Sequence, residues 1–187
     1  MGTSGAYGGW FHPDKEPPQT PHNVHWFTLQ GTLKDLPADL QQQGGTEAQR
    51  IIGGLETLAQ IGLMIMRNSV QGIRGKYVDM EQLGDSMTAL GAVNKIFSTK
   101  EPLASYLWVL AEWCTRSQTT LRVSHIPGQN NGWADILSRS SNPAEELGLD
   151  KNREFSITLQ DITRPSNKCK LLPSVAQWPA GLAQLQA

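Results

Sequence analysis

Three carboxylates stand where acids are uncommon. Glu47 precedes a helical stripe of Ile51, Leu55 and Leu58 and points the same way, one turn ahead of it. Asp85 joins a strand-like run to a helix-like one, and Asp135 lies in a short helical stretch after a strand that ends near His125. A carboxylate held rigidly at a strand end or at the edge of a core is placed where it could do chemistry. Each also has a plain structural reading. Glu47 suits a helix start, where the dipole favours negative charge. Asp85 suits an N-cap that satisfies free N–H groups of a first turn. Asp135 alone is an exposed helical acid. Taken singly, none of the three marks a site.

The elements that must position them can be read from pattern. The aromatic, glycine-rich stretch 5–12 predicts a strand, and DKEPPQTP (14–21) cannot continue a ladder because it holds three prolines. NVHWFTLQ (23–30) alternates and predicts a second strand, antiparallel to the first. A helix is expected over 46–66, where Gly53 and Gly54 weaken it but admit a close neighbour. YVDMEQL (77–83) is a poor strand carrying two acids. Helices are expected over 85–97, with Met87, Leu90, Val93 and Phe97 inward, and over 101–115, with Leu103, Leu107, Leu110 and Cys114 inward. TTLRVSHI (119–126) is a strand, and 131–139 a short helix. Beyond Asn142-Pro143 no period is visible, so residues 141–187 are expected to be an irregular or disordered tail on a domain spanning 1–140. The order is that of a mixed α/β fold, with an antiparallel start and later helical crossovers.

Composition agrees with a folded domain. The 187 residues are 39% hydrophobic and 18% charged, with net charge −1, so no global basic field advertises a polyanion partner. Cys114 and Cys169 match no metal spacing and no disulfide framework. The N-terminal run is not a signal peptide, and 61–66 is too short to span a bilayer. An intracellular protein with no membrane partner is expected, cytoplasm and nucleus undistinguished.

The words around the acids carry a resemblance. HIPGQNNGWADILSR, His125 to Arg139, resembles the closing motif of the ribonuclease H domain in retroelement reverse transcriptases. Asp85-Ser86-x-x-Ala89-x-x-Ala92-Val93-Asn94-Lys95 resembles that family's aspartate motif after its fourth strand. Glu47-x-x-x-Ile51-x-x-x-Leu55-Glu56-x-Leu58 resembles its first helix, which opens on a catalytic Glu. The resemblance covers roughly residues 3–140, and the closing motif is its specific part. It implies an RNase H-like mixed sheet of strand order 3-2-1-4-5 flanked by helices. It implies an endonuclease that hydrolyses the RNA strand of RNA–DNA hybrids with two Mg2+ or Mn2+ ions. Glu47, Asp85 and Asp135 would be the metal ligands. His125 would assist proton transfer or product release, or would simply hydrogen-bond its turn. Ser4, Asn94, Lys95 and Asn131 would lie along the nucleic acid, Asn131 by ordering the closing loop. A reverse transcriptase domain would precede this one in the parent polyprotein.

The resemblance has one gap. Ser4 falls in the serine position of the family's first motif, and the acid's place is then taken by Gly2. Gly84, before Asp85, also departs from the family's pattern. A truncated reading frame or a decayed copy would explain this. The expectations are impaired activity and a sheet whose central first strand is missing or incomplete. The alternative is a non-catalytic interaction module, a relic that binds nucleic acid through Arg74, Lys76, Lys95, Lys100 and Arg139. A different RNase H-like enzyme, an integrase or exonuclease, fits the closing motif less well.

Overall fold

The computed structural model describes residues 4–13, 21–36, 48–72 and 77–164. Strands β1 (Ser4–Phe11) and β2 (His25–Thr32) pair antiparallel, from Ser4 opposite Thr32 to Phe11 opposite His25. The alternation assigns two faces. Tyr7, Phe11, Phe27 and Leu29 turn one way into the main core. Trp10 and Trp26 turn the other way, into a second small core.

Helix α1 (Ala48–Gln71) covers the first face. Leu58, Ile61, Met64 and Met66 are fully buried. A helix apolar on most sides has neighbours on most sides, and α1 packs on β1, on α2 (Met87–Lys95) and on α3 (Leu103–Ser117). The glycine pair permits this. A Cβ at Gly54 would stand 2.6 Å from the Tyr106 ring of α3, and one at Gly53 would stand 3.1 Å from Thr88 of α2.

Strands β3 (Val78–Gly84) and β4 (Thr119–His125) pair parallel, joined by α2 and α3. The acids that made β3 a poor strand lie on its outward phase. Met80 and Gln82 are buried while Asp79 meets Arg122 at 3.2 Å and Glu81 accepts from Ser124 Oγ at 2.8 Å. Helix α2 is shorter than its pattern suggested and buries Ala89, Ala92 and Val93, leaving Met87 and Phe97 exposed. It stops at Lys95, with Ile96 in a left-handed cap, so Phe97 leaves the helical face that would have buried it.

Helix α4 (Gly132–Arg139) lies on the second face of the β1–β2 sheet, with Leu137 buried against Gly8. The tail differs from expectation. Helices α5 (Pro143–Leu147) and α6 (Leu159–Thr163) follow, and Leu149, Ile157, Leu159 and Ile162 are buried. Helices of five residues are too short to show a period. The second is held by a capping box between Thr158 and Asp161 and by packing on α1 and α3.

The fold is mixed α/β, with two separate two-stranded sheets among the described residues. Side chains of α1 reach the free edge of β3. Gln60 Nε2 donates to the Leu83 carbonyl at 3.2 Å, and Arg67 donates to the Glu81 carbonyl. The Arg67 guanidinium also lies 5.0 Å over the Phe11 ring of β1.

Candidate functional site

The C-terminal ends of the parallel strands bring the chemistry together. Gly84 pairs with His125, and the Ile126 N–H donates to the Gly84 carbonyl at 2.9 Å. Asp85 therefore leaves β3 beside the point where β4 enters the Pro127-Gly128 turn. Its Oδ2 lies 3.9 Å from where a Cβ on Gly128 would be. The N-cap of α2 is Ser86, whose Oγ accepts from the Ala89 N–H at 3.2 Å. Asp85 is thus not the cap, and its carboxylate is spared that duty.

A second acid within electrostatic reach of Asp85 is Glu56. It projects from α1, half-buried, and its carboxyl is held above the ordinary range. Burial is the main cause, the Asp85 charge adds to it, and a hydrogen bond from Ser86 opposes it. Tyr7 of β1 feels the same cluster. Burial, then Glu56, then Tyr106 push its phenol up to about 12. Sequence reasoning named the acid at the start of this helix and passed over the one inside it. The available signal was polarity at the wrong phase: Glu56, Gln60 and Arg67 recur on one face of a helix otherwise buried.

The other expected residues fall as follows. Glu47 lies outside the described residues, as do Arg74, Lys76 and the side chain of Ser4. His125 is exposed at the end of β4. Asp135 is exposed in the first turn of α4 and pairs with Arg139 at 2.5 Å. Among the described residues no group of three or more His, Cys, Asp or Glu is placed to hold a metal ion. Asn131 forms the junction into α4, donating its N–H to Gly128 and accepting from Asp135 N–H at 3.1 Å. The amide of Asn94 is committed to the backbone of Val123, donating and accepting at 2.8 Å each. It satisfies the outer edge of β4. Lys95 and Lys100 line a groove of about 390 Å³ with the exposed Phe97.

The Glu56–Asp85 pair with the Ser86 hydroxyl is a set of hard oxygens. For Glu56, half out of water and within reach of the Asp85 charge, the protonated form or a neighbouring cation is favoured. A divalent ion of the Mg2+ class fits that donor set. Among the described residues no helix is long and apolar enough to cross a membrane. No family model matches this chain, and no curated protein or solved structure matches it significantly.

Proposed function

We propose that this chain is an intracellular, RNase H-like domain of a retroelement, acting on the RNA strand of an RNA–DNA hybrid. Its helix acid is Glu56, in place of Glu47. The observation that carries the reading is the pair at the end of β3: Asp85, left free by the Ser86 cap, beside a half-buried Glu56 and next to the strand that ends at His125. Glu56 and Asp85 would hold a Mg2+ or Mn2+ ion, which polarises a phosphate oxygen and acidifies water when bound. Ser86 orients Glu56, and exposed His125 at the strand end would assist proton transfer or product release. Asp135 would complete the metal set once drawn from Arg139.

The fold supports the same reading at a finer level. Tyr7 and Asp85 both sense Glu56, while Phe11 and Glu81 both meet Arg67, about three helical turns along α1. β1 and β3 therefore run in opposite directions along α1. A strand between them would be antiparallel to one and parallel to the other, as the 3-2-1-4-5 order requires. Its acid would face the Glu56–Asp85 pair, and without it catalysis is weak. A reverse transcriptase domain would be the neighbour that precedes it.

The test joins binding to chemistry. Mn2+ is expected to raise the melting temperature of the full chain, and to do so in Glu47→Gln but not in Glu56→Gln or Asp85→Asn. Weak Mn2+-dependent cleavage of an RNA–DNA hybrid should follow the same pattern. Loss of the metal response in Glu47→Gln alone would return the site to Glu47. Cleavage that survives Asp85→Asn would overturn the reading. The second reading, a non-catalytic module, is favoured by the Asp135–Arg139 pair, which keeps one expected ligand engaged elsewhere. Hybrid binding without metal response or cleavage would select it.

A further inference from the structure

Within the 143–164 segment, residues 150–155 are strapped along the start of β2, and a titratable contact lies in the strap. The Phe155 N–H donates to the Trp26 carbonyl at 2.7 Å, beside a parallel bridge between Trp26 and Glu154. Trp26 Nε1 donates to the Asp150 carbonyl at 3.1 Å. Next to them, Arg153 Nη1 stands 3.1 Å from His25 Nε2. A guanidinium nitrogen can only donate. Nε2 must therefore be the acceptor, and the ring must be neutral with its proton on Nδ1.

Protonation of His25 would set donor against donor and cation against cation at that distance. Among the described residues no carboxylate bonds to His25. From β1, His25 is opposed by Phe11, with His12 next along. The turn before β2 brings His22. From the strap, Asp150 Oδ1 is taken by Asn152 at 2.9 and 3.0 Å, and Glu154 is exposed. Burial first, and Arg153 second, hold His25 below its ordinary 6.5.

We propose that His25 and Arg153 form an acid-released latch, which holds the strap on the outer edge of β2 while His25 is neutral. The sign follows from linkage. The folded state disfavours the imidazolium, so the stabilisation is complete above the ordinary histidine pKa and is lost as pH falls through the lower folded value. Release would uncover Trp26, and it would withdraw Ile162, whose carbonyl accepts from Trp113 Nε1 at 2.6 Å.

Amide hydrogen exchange on the full chain tests this between about pH 8 and pH 5. The readout is the protection of the Phe155 amide divided by that of the Ile126 amide in the other sheet. This ratio cancels the intrinsic effect of pH. It should fall several-fold on acidification in the natural sequence. It should stay flat in His25→Gln, whose side-chain oxygen accepts from Arg153 at every pH. It should fall less far in Arg153→Gln, where the cation is gone but the burial of His25 remains, and that variant carries the test should the first fail to fold. A ratio that holds steady in the natural sequence, or that falls as far in either folded variant, would overturn the latch.

Discussion

Gly8→Ala should separate helix α4 from the β1–β2 sheet. The new Cβ would stand 2.3 Å from Leu137 Cβ, 2.9 Å from its carbonyl carbon and 3.1 Å from its Cα. Carbon atoms sit comfortably at about 3.5–4.0 Å, so the helix must retreat by roughly an ångström or more. No rotamer change relieves the clash, because the atoms it meets belong to the helix backbone and to the first side-chain carbon. Retreat loosens Leu137, now 2% exposed, and the Trp10–Trp133 contact at 5.3 Å. Overpacking of this kind costs about 1–3 kcal/mol, and partial exposure of a leucine adds about 1 kcal/mol. A loss of about 2–4 kcal/mol is a large share of the roughly 5–15 kcal/mol that holds a domain folded. Urea unfolding followed by tryptophan fluorescence measures it. Gly31→Ala is the control, since the close contact of its Cβ would be the far end of Leu159, 2.5 Å from Cδ1, which can swing away, with Asp35 Oδ2 at an ordinary 3.6 Å. Leu137→Ala should not rescue Gly8→Ala, because the clashing atoms remain. A Gly8→Ala variant within about 0.5 kcal/mol of the natural sequence, or one rescued by Leu137→Ala, would refute the account of this contact.

Three further outcomes are expected. The folded state holds the proton of Glu56 more tightly than the unfolded chain does, so its ionisation costs stability as pH rises from 4.5 through the raised folded value. Glu56→Gln should therefore be more stable than the natural sequence at neutral pH without metal, and the advantage should vanish in acid melts. Ser86→Ala removes the cap of α2 and should cost about 1 kcal/mol by chemical denaturation, with Ser86→Thr, which keeps the hydroxyl, recovering most of it. Arg67→Ala leaves the Glu81 carbonyl without its donor and Phe11 without its cation, for a loss of about 1–3 kcal/mol in urea melts.

Much of the architecture was legible because long elements write their period into the chain. The four strands, the antiparallel pairing of the first two, the long helix and the Gly53–Gly54 contact follow from patterns that solvent and packing impose, whereas the separation into two sheets does not. The missed features share a cause. Glu47 drew attention because it opens a stripe, whereas Glu56 lies within it, and only its hydrogen bond from Ser86 and the charge of Asp85 show that its face meets β3. Asp85 and Ser86 are both good caps by residue type, and backbone geometry decided between them. Phe97 follows a helical spacing that the chain abandons after Lys95. In α5 and α6, capping and burial replace periodicity, so five-residue helices leave little trace in sequence.

The edge of β3 and the acid pair are governed by the same helix face. A two-stranded parallel sheet is uncommon on its own, since each edge presents unpaired carbonyls and N–H groups. Gln60 and Arg67 answer part of that need from α1, and Glu56 stands on the same face, one turn before Gln60. The position of Glu56 against Asp85 is therefore tied to what occupies the β3 edge. Arg67 Nε is buried without a partner, so the substitution of side chains for a ladder is incomplete. A strand entering beside β3 would compete for the Leu83 and Glu81 carbonyls and free Gln60 and Arg67. It would then reset the distance between the two carboxylates. If the proposed ion sits between Glu56 and Asp85, an Arg67→Ala, Gln60→Ala chain should lose the Mn2+ rise in melting temperature, although the proposal makes neither residue a ligand; a rise that persists would uncouple the β3 edge from the acid pair.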